Sequence, residues 1–238
     1  MMALCLAMSM WAVDLPKQGL GVQIGWAQPT LRVNDSNSPD SLSHHTRLNG
    51  FKVGLIYDAS YIAGFGSSIG LNYTFGVHNG GWNRRNAYNI YPQDRQLITY
   101  NELEVFVDWQ YKFEVAKETY LILYTGPPIQ CGLELNWRKD TRDEQLDPVT
   151  HIPTGDVAVT RGNRINAYNA EGENGFKRIN VTWGVGAAFQ YKRYFVRGGY
   201  DFGLINPYKL ASFNNGVYTR GRFDQWSVKI GMYFWYAE

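Results

Sequence analysis

Apolar and polar residues alternate with a period of two along most of the chain after Leu20. In the last such run, Trp226, Val228 and Ile230 share one face, while Ser227 and Lys229 share the other. Strict alternation is typical of a β-strand with one apolar and one polar face. We therefore predict an all-β protein. Its eight runs lie at Leu20 to Ala27, Phe51 to Asp58, Ser68 to Phe75, Glu102 to Phe113, Tyr120 to Trp137, Ile179 to Tyr191, Tyr194 to Leu204 and Gln225 to Tyr236.

The connections between these runs are short and long in turn. The short ones lie near Ala59 to Phe65, Val115 to Glu118 and Lys192-Arg193, and the long polar ones at Pro29 to Leu48, Asn79 to Thr99, Lys139 to Lys177 and Asn206 to Phe223. Short periplasmic turns and long extracellular loops are typical of outer-membrane barrels. We predict a closed eight-stranded antiparallel transmembrane β-barrel in the bacterial outer membrane. A bulge is expected where Gly126-Pro127-Pro128 interrupts the fifth strand, because proline cannot donate to the ladder.

Alternation alone does not say which face of the barrel lies outside. A soluble barrel such as a lipocalin would turn the apolar face inward around a ligand. Two features favour lipid outside. Glycines such as Gly25, Gly186 and Gly231 accompany the charged face, as a narrow interior requires, and Trp and Tyr lie towards the strand ends, where interface girdles form.

Composition excludes several other classes of protein. The chain has 238 residues, of which 45% are hydrophobic and 18% charged, so a disordered chain is excluded. Two cysteines exclude a disulfide scaffold, and a net charge of +2 gives no indication of nucleic-acid binding. A helical membrane protein is excluded because no apolar run reaches about 18 residues.

The first residues of the chain differ from the rest. Met1 to Val13 is uncharged and almost wholly apolar. This is too short to span a bilayer but has the length of the apolar region of a signal peptide. We predict that residues 1–12 are the remnant of a signal peptide and that residues 13–238 form one barrel domain. A first buried strand or helix is the alternative.

Four segments of the sequence resemble the PorT-like outer-membrane β-barrel family of Bacteroidota, whose barrels are of the eight-stranded type. They are YNELEVFVDWQYKF from Tyr100, YLILYTGPP from Tyr120, TWGVGAAFQY from Thr182 with YFVRGGYDFGLIN from Tyr194, and WSVKIGMYFW from Trp226. These motifs belong to strands and contain no catalytic signature. The resemblance implies an outer-membrane location and, for the family's namesake, a role in type IX secretion.

The polar face of the predicted strands carries charges of both signs. An eight-stranded barrel is just wide enough for side chains to fill, so these charges must pair. We predict a lumenal charge network, with a gated ion path or a small polar ligand site as the alternative. Its members are Lys52, Asp58, Glu102, Glu104, Asp108, Lys112, Glu134, Arg197, Asp201 and Lys229.

The long connections are rich in arginine. Guanidinium groups bind phosphates through forked hydrogen bonds, and lipopolysaccharide carries phosphates at the outer headgroup level. We expect lipopolysaccharide contacts from this set, although a solvated loop is the simpler interpretation of such charges. The candidates are Arg84, Arg85, Arg95, Arg220 and Arg222.

Residue types that enzymes use for catalysis are present, but they show no specific catalytic spacing. Ser43, His44, His45 and His78 could serve a lipid A-modifying enzyme, but a catalytic triad needs a nucleophile, a base and an acid that converge in space. No metal-ligand spacing and no cofactor motif is recognisable. We predict a non-enzymatic, monomeric barrel without a cofactor, which acts in envelope structure, secretion-associated assembly or surface interaction through its loops. A narrow channel is the first alternative and a lipid A-modifying enzyme the second.

Overall fold

The alternating runs form long antiparallel strands. The computed structural model describes residues 18–33, 46–62, 64–84, 93–146, 153–170, 175–209, 213–214, 217–218 and 221–237, so the signal-peptide prediction for residues 1–12 lies outside the described residues. The wall strands are β1 (Gln18–Val33), β2 (Asn49–Ile62), β3 (Phe65–Asn79), β4 (Gln93–Ala116), β5 (Thr119–Gly126), β6 (Ile129–Leu146), β7 (Ile179–Tyr191), β8 (Tyr194–Gly203) and β9 (Gly221–Ala237). Short strands lie at Thr46–Arg47, Asn83–Arg84, Pro153–Arg161, Ile165–Asn166, Phe213–Asn214 and Val217–Tyr218.

The wall strands pair antiparallel around a closed ring. Each strand pairs with the next along the chain, apart from β5 and β6, and β9 returns to β1, so that Val22 faces Met232 on one side and Leu55 on the other. Strands β5 and β6 together occupy one position between β4 and β7, on either side of Pro127 and Pro128. The ring therefore has eight wall positions, which confirms the predicted fold and the predicted interruption.

Tight turns join the wall strands at one end of the barrel. Glu118 and Lys192 have positive φ angles of 58° and 53°, and Gly64 has a φ of 86°. Left-handed residues of this kind match the twist of two-residue hairpins. These turns lie at the three predicted short connections, and they define the inner end of the barrel. The long connections define the outer end.

The apolar face of the strands is exposed and the polar face is buried. Val228 is 49% exposed, whereas its neighbour Ser227 is 3% exposed. On β9 the apolar face runs from Trp226 to Phe234, about 27 Å along the strand, and strand tilt reduces this to the height of an outer-membrane apolar band, about 25 Å. The lipid-facing interpretation is therefore confirmed, and the lipocalin alternative is wrong. The chain is a transmembrane β-barrel of the bacterial outer membrane. Among the described residues, no helix is long and apolar enough to cross a membrane.

Two strands continue well beyond this band at the outer end. β4 begins at Gln93 and β6 ends at Leu146, and Pro153–Arg161 pairs with β6 as a third strand. The predicted loops Asn79 to Thr99 and Lys139 to Lys177 are thus partly strand, so that part of the prediction was wrong. The extra pairs are mostly polar, and they therefore lack the apolar alternation that reveals a strand in the sequence. We call these three strands above the band the outer sheet.

Candidate functional site

The lumen is filled by side chains in layers. A central layer is organised around Lys52, which is fully buried and donates from Nζ to Glu104 Oε2 at 2.8 Å and to Gln225 Oε1. Glu104 also accepts from Asn72 at 2.7 Å and from Gln130 at 3.2 Å. A buried ion pair is tolerated when further hydrogen bonds satisfy its remaining lone pairs. This layer meets that condition, because polar side chains from five strands contribute to it.

A second layer lies next to it towards the inner end. Arg197 pairs with Asp108 and donates to Ser68 Oγ at 3.2 Å. Its guanidinium also lies 3.6 Å from the centre of the Tyr124 ring, which is a cation–π contact. Gly186 makes room for that ring, because a Cβ at this position would lie 2.3 Å from Tyr124. The glycine predicted for a crowded interior is needed here for a specific contact.

The inner end of the lumen contains a third charged group. Asp58 accepts from Lys112 Nζ at 2.7 Å, from Tyr233 Oη at 2.9 Å and from the side-chain amide of Gln110. Each of these groups is buried. The arrangement pairs the charge of Asp58 and ties β2 to β4 and to β9 across the barrel.

Three further predicted residues also face the lumen. Glu102 accepts a hydrogen bond from Tyr100 and is buried. Asp201 lies against Gly184, where a Cβ would come within 2.6 Å of its carboxylate. Lys229 is buried, with its Nζ 5.6 Å from the centre of the Phe106 ring. Together with the pairs above, nine of the ten predicted network residues therefore face the lumen.

Glu134 is the exception, because it lies on the outer face of the wall. Its side chain is 39% exposed and lies 3.5 Å from Arg164. The pairing of β4 with β6 shifts register between Asn101 and Glu102, which skips Leu133. A bulge of one residue reverses which face the following side chains occupy. The lumen prediction for Glu134 was wrong for this reason.

Apolar side chains fill the lumen above the central layer and also lie among the charged groups of its inner half. We call these two sets the outer plug and the inner plug. The outer plug includes residues from the connections as well as from the wall, and consists of Leu31, Leu48, Ile98, Tyr100, Leu135, Ala167, Tyr168, Phe176, Tyr208 and Phe223. The inner plug consists of Ile56, Phe106, Phe195 and Tyr233, with Tyr236 packed against them.

Two of the predicted lipopolysaccharide contacts, Arg95 and Arg222, lie in described clusters on the outer wall. Arg95 binds Asp140 at 3.1 Å and stacks 4.6 Å above the Trp82 ring. Arg222 Nε lies 3.0 Å from Asp224. For Arg84 the structure describes the backbone alone, and Arg85 and Arg220 lie outside the described residues.

The cluster around Asp140 lies on the outer sheet, outside the apolar band. Arg138 Nε lies 2.8 Å from Asp140, on the side opposite Arg95. Burial acts to raise the pKa of the Asp140 carboxyl, but the hydrogen bonds from Arg95 and Arg138 outweigh it, so the pKa is below its usual value. Asp140 is therefore an anion that holds β4 and β6 together.

Sequence reasoning missed the partners of Arg222. Arg32 Nε lies 2.9 Å from the same Asp224 carboxylate, and Arg47 lies beside this pair on a short strand. Arg32 and Asp224 belong to the first and last strands, which only ring closure brings together. The signal in the sequence was their position, since both continue the lipid-facing alternation beyond its last apolar residue: Asp224 lies one step beyond Trp226, and Arg32 lies three steps beyond Trp26.

The enzymatic candidates do not form a described catalytic arrangement. His78 Nδ1 lies 3.0 Å from the Arg47 carbonyl oxygen, while Ser43, His44 and His45 lie outside the described residues. In the described part of the chain, no group of three His, Cys, Asp or Glu side chains could hold a metal ion.

Comparisons with known proteins give similar chains among solved structures. No family model and no curated protein matches the sequence. Among solved structures, the chain is similar to Ail, the attachment invasion locus protein of Yersinia pestis, with 10% identity, a TM-score of 0.42 and coverage of 92% of this chain and 100% of that one. It is also similar to Neisserial surface protein A, with 11% identity, a TM-score of 0.38 and coverage of 91% and 97%.

Proposed function

We propose that the chain is a non-enzymatic outer-membrane barrel whose outer sheet binds a partner at the cell surface. The observation that carries this proposal is the strand Pro153–Arg161. It pairs with β6 along one edge and, among the described residues, with no strand along the other. An unpaired strand edge presents free backbone donors and acceptors to an added strand.

The outer sheet is suited to partner binding by β-strand addition. Val159 is 50% exposed although it lies above the apolar band, and its neighbours Thr160 and Arg161 are exposed as well. In strand addition the backbone supplies the affinity and alternate side chains supply the specificity. We infer that the partner presents an extended segment to this edge.

The resemblance of four segments to the PorT-like family supports a finer version of this proposal. In that version the partner is a component of secretion or envelope assembly. The segments that carry the resemblance lie in the barrel wall, so they support the kind of barrel rather than the identity of the partner. A further part of the proposal is that arginines above the apolar band contact the phosphates of lipopolysaccharide.

The two alternative functions have less support. A channel requires a continuous polar path, whereas apolar side chains close the outer end of the lumen and lie among the charged groups of its inner half. A lipid A-modifying enzyme would require a nucleophile beside His78, whose described hydrogen bond goes to a backbone carbonyl. An unchanged lipid A mass profile on deletion of the gene would exclude the enzyme.

Site-specific photocrosslinking in cells tests the proposed partner binding. A photoreactive residue replaces Thr160 on the free edge, and the matched control replaces Lys117 in an inner turn; both positions are exposed. We expect a discrete protein adduct from position 160 and none from position 117. An adduct that contains a secretion component would support the finer proposal.

A shortened variant shows whether the adduct depends on the outer sheet. Arg142 and Val159 face each other across the hairpin, so residues 143–158 can be replaced by an Asn-Gly turn. The adduct should disappear while the barrel still shows the gel shift of a folded outer-membrane protein. If the adduct persists in the shortened variant, or never forms from position 160, the proposed interaction is wrong.

A further inference from the structure

The seam where β9 closes onto β1 carries an arginine-rich pocket on its outer wall. Trp226, Asp224 and Arg222 follow one another on the lipid-facing side of β9, and Arg32 is the direct partner of Arg222 on β1. Trp226 is the last apolar residue of this face and is 51% exposed. The charged residues therefore lie one to two residue pairs above the apolar band, at the height of lipid headgroups.

A buried carboxylate fixes the orientation of two guanidinium groups in this pocket. Asp224 is almost fully buried; its Oδ2 forms ion pairs with Arg32 Nε at 2.9 Å and Arg222 Nε at 3.0 Å, and the carboxylate accepts hydrogen bonds from Tyr200 Oη at 2.7 Å and from the Gly203 amide at 3.0 Å. Both arginines bind it through the inner nitrogen, Nε. Among the described residues, Arg32 Nη2 donates to Tyr200 at 3.1 Å, and the other terminal nitrogens of the two arginines have no hydrogen-bond partner. Asp224 thus engages the inner nitrogens and leaves terminal nitrogens of both guanidinium groups for a ligand.

A third arginine completes the pocket. Arg47 is exposed and pairs with Thr30 on the other side of β1. A cavity of about 350 Å³ lies between these groups, lined by Gln28, Thr30, Arg32, Arg47 and Trp226. Two guanidinium groups, those of Arg32 and Arg222, pair with the Asp224 carboxylate, and Arg47 lines the cavity next to Arg32. The pocket therefore has an excess of positive charge and free hydrogen-bond donors, and it lacks a matching anion among the described residues.

We propose that this pocket binds the phosphate monoester of an outer-leaflet glycolipid. Planar guanidinium forks match phosphate oxygens in pairs. Arg32 and Arg47 line this cavity, and Arg222 is the direct strand partner of Arg32. The pocket opens on the membrane side of the wall with Trp226 as its lower edge. A lipid whose phosphate occupies the pocket can therefore lay its acyl chains along exposed residues such as Val228 and Ile24. This proposal rests on the proposed lipopolysaccharide contact and assigns it to one site.

The second arginine cluster, on the outer sheet, serves as the contrast. Arg95 directs Nε and Nη2 at one oxygen of Asp140, and Arg138 directs Nε and Nη2 at the same carboxylate. Arg95 is further covered by Trp82. Because these donors are already used by a carboxylate and an aromatic ring, this cluster joins two strands and leaves little for a ligand.

Lipid binding to the full-length protein, refolded in detergent micelles, tests the site. The probes are lipid A with both phosphates, the same lipid A after enzymatic removal of its phosphates, and inorganic phosphate alone. Native mass spectrometry counts the lipids bound at each concentration. We expect phosphorylated lipid A to bind at least tenfold more tightly than the dephosphorylated form, with inorganic phosphate unable to displace it at equal phosphate concentration.

Three variants assign the binding to the pocket. Arg222→Gln leaves Asp224 paired with Arg32, and Arg47→Gln alters a residue whose side chain has no partner among the described residues. Each should weaken binding of phosphorylated lipid A about fivefold to tenfold, and bring it closer to that of the dephosphorylated lipid. Arg193→Gln removes an exposed arginine of an inner turn and should change nothing. The gel shift of the folded barrel shows that each variant is folded.

The outcomes separate this site from the broader proposal. Unchanged affinity in both Arg47→Gln and Arg222→Gln, with the phosphate preference retained, overturns the site but leaves a lipopolysaccharide contact elsewhere. Equal binding of both lipids to the unaltered protein overturns the site and the lipopolysaccharide contact together. Displacement by inorganic phosphate alone would mean that the pocket takes a soluble anion, and the lipid assignment would then be wrong. The proposed protein partner is unaffected by any of these results.

Discussion

Single residues in this barrel reverse the usual relation between polarity and burial. Lys52 is fully buried at the centre of the lumen, while Trp226 and Ile230 are more than half exposed. A buried charge is stable here because it has charged and neutral partners, as Lys52 has in Glu104 and Gln225. At the scale of single residues we therefore predict that removing one member of a lumenal ion pair destabilises the barrel more than removing both members.

Lys52→Met should destabilise the barrel strongly. The substitution leaves Glu104 as a buried carboxylate without its cation, and breaking a buried ion pair in this way costs about 3–5 kcal/mol. Glu104→Gln combined with Lys52→Met removes both charges and should restore a large part of that stability. Urea unfolding in lipid vesicles, followed by tryptophan fluorescence, measures the free energy of unfolding. A double variant as unstable as Lys52→Met alone would show that the charges are not coupled.

Whole strands behave differently according to the height at which they lie. Within the apolar band the outward face meets lipid, and above it the same alternation meets water. Val228 in the band is 49% exposed, and Val159 on the outer sheet is 50% exposed. Because Val228 and Val159 are equally exposed, the same substitution at both positions tests whether each strand faces lipid or water.

Val228→Arg and Val159→Arg should therefore differ in their effect on stability. An arginine on the lipid face of a barrel costs about 2–4 kcal/mol at the middle of the membrane and less towards its edge, so about 2 kcal/mol is expected at Val228. A surface substitution in water is usually within about 0.5 kcal/mol, which is the expectation for Val159. Unfolding in vesicles compares the two. Similar losses at both positions would contradict the placement of the apolar band.

The outer sheet should loosen in acid. The folded pKa of Asp140 is lowered by Arg95 and Arg138, so the folded state binds fewer protons than the unfolded state. Its stabilising contribution is complete above the usual aspartate pKa of about 4, and it is lost as pH falls through the lowered value. Hydrogen exchange of the amides of residues 93–97 and 138–142 between pH 6 and pH 3 should show faster exchange at the acid end. Asp140→Asn should abolish that pH dependence, and a variant that retains it would assign the effect to another group.

Elements could be predicted from the sequence where the information is local. Alternation specifies a strand and its two faces within a few residues, so the eight wall positions and the three tight turns were predicted correctly. The outer sheet was predicted as loop because its pairs are polar. Glu134 was placed in the lumen because a bulge at Leu133 leaves no mark on the neighbouring residues. The pocket of Arg32, Asp224 and Arg47 was missed because it exists only after the first and last strands meet.

At the scale of the whole molecule, closure of the ring determines what the lumen can do. Eight strands enclose a space that side chains fill, and here apolar side chains close the outer end and pack among the charged groups of the inner half. The outer plug depends on residues from the connections, such as Tyr168 and Phe176, whereas the inner plug belongs to the wall itself. A substitution in a connection can therefore disrupt the outer plug without altering the wall, whereas the inner plug can be altered only within the wall.

Planar-bilayer recording should show no conductance from the unaltered barrel, and Tyr168→Ala should not create one. Removing the Tyr168 side chain opens a gap in the outer plug. The lumen below it is still filled by Arg197, Asp108, Tyr124 and the inner plug. An ion would have to cross apolar side chains without its hydration shell, at a cost of many kcal/mol. Reproducible conductance steps in the unaltered protein would establish the channel alternative. Steps that appear only in Tyr168→Ala would show that the outer plug alone closes a lumen that is otherwise open, and the function of the barrel would then have to be sought inside it rather than at its outer sheet.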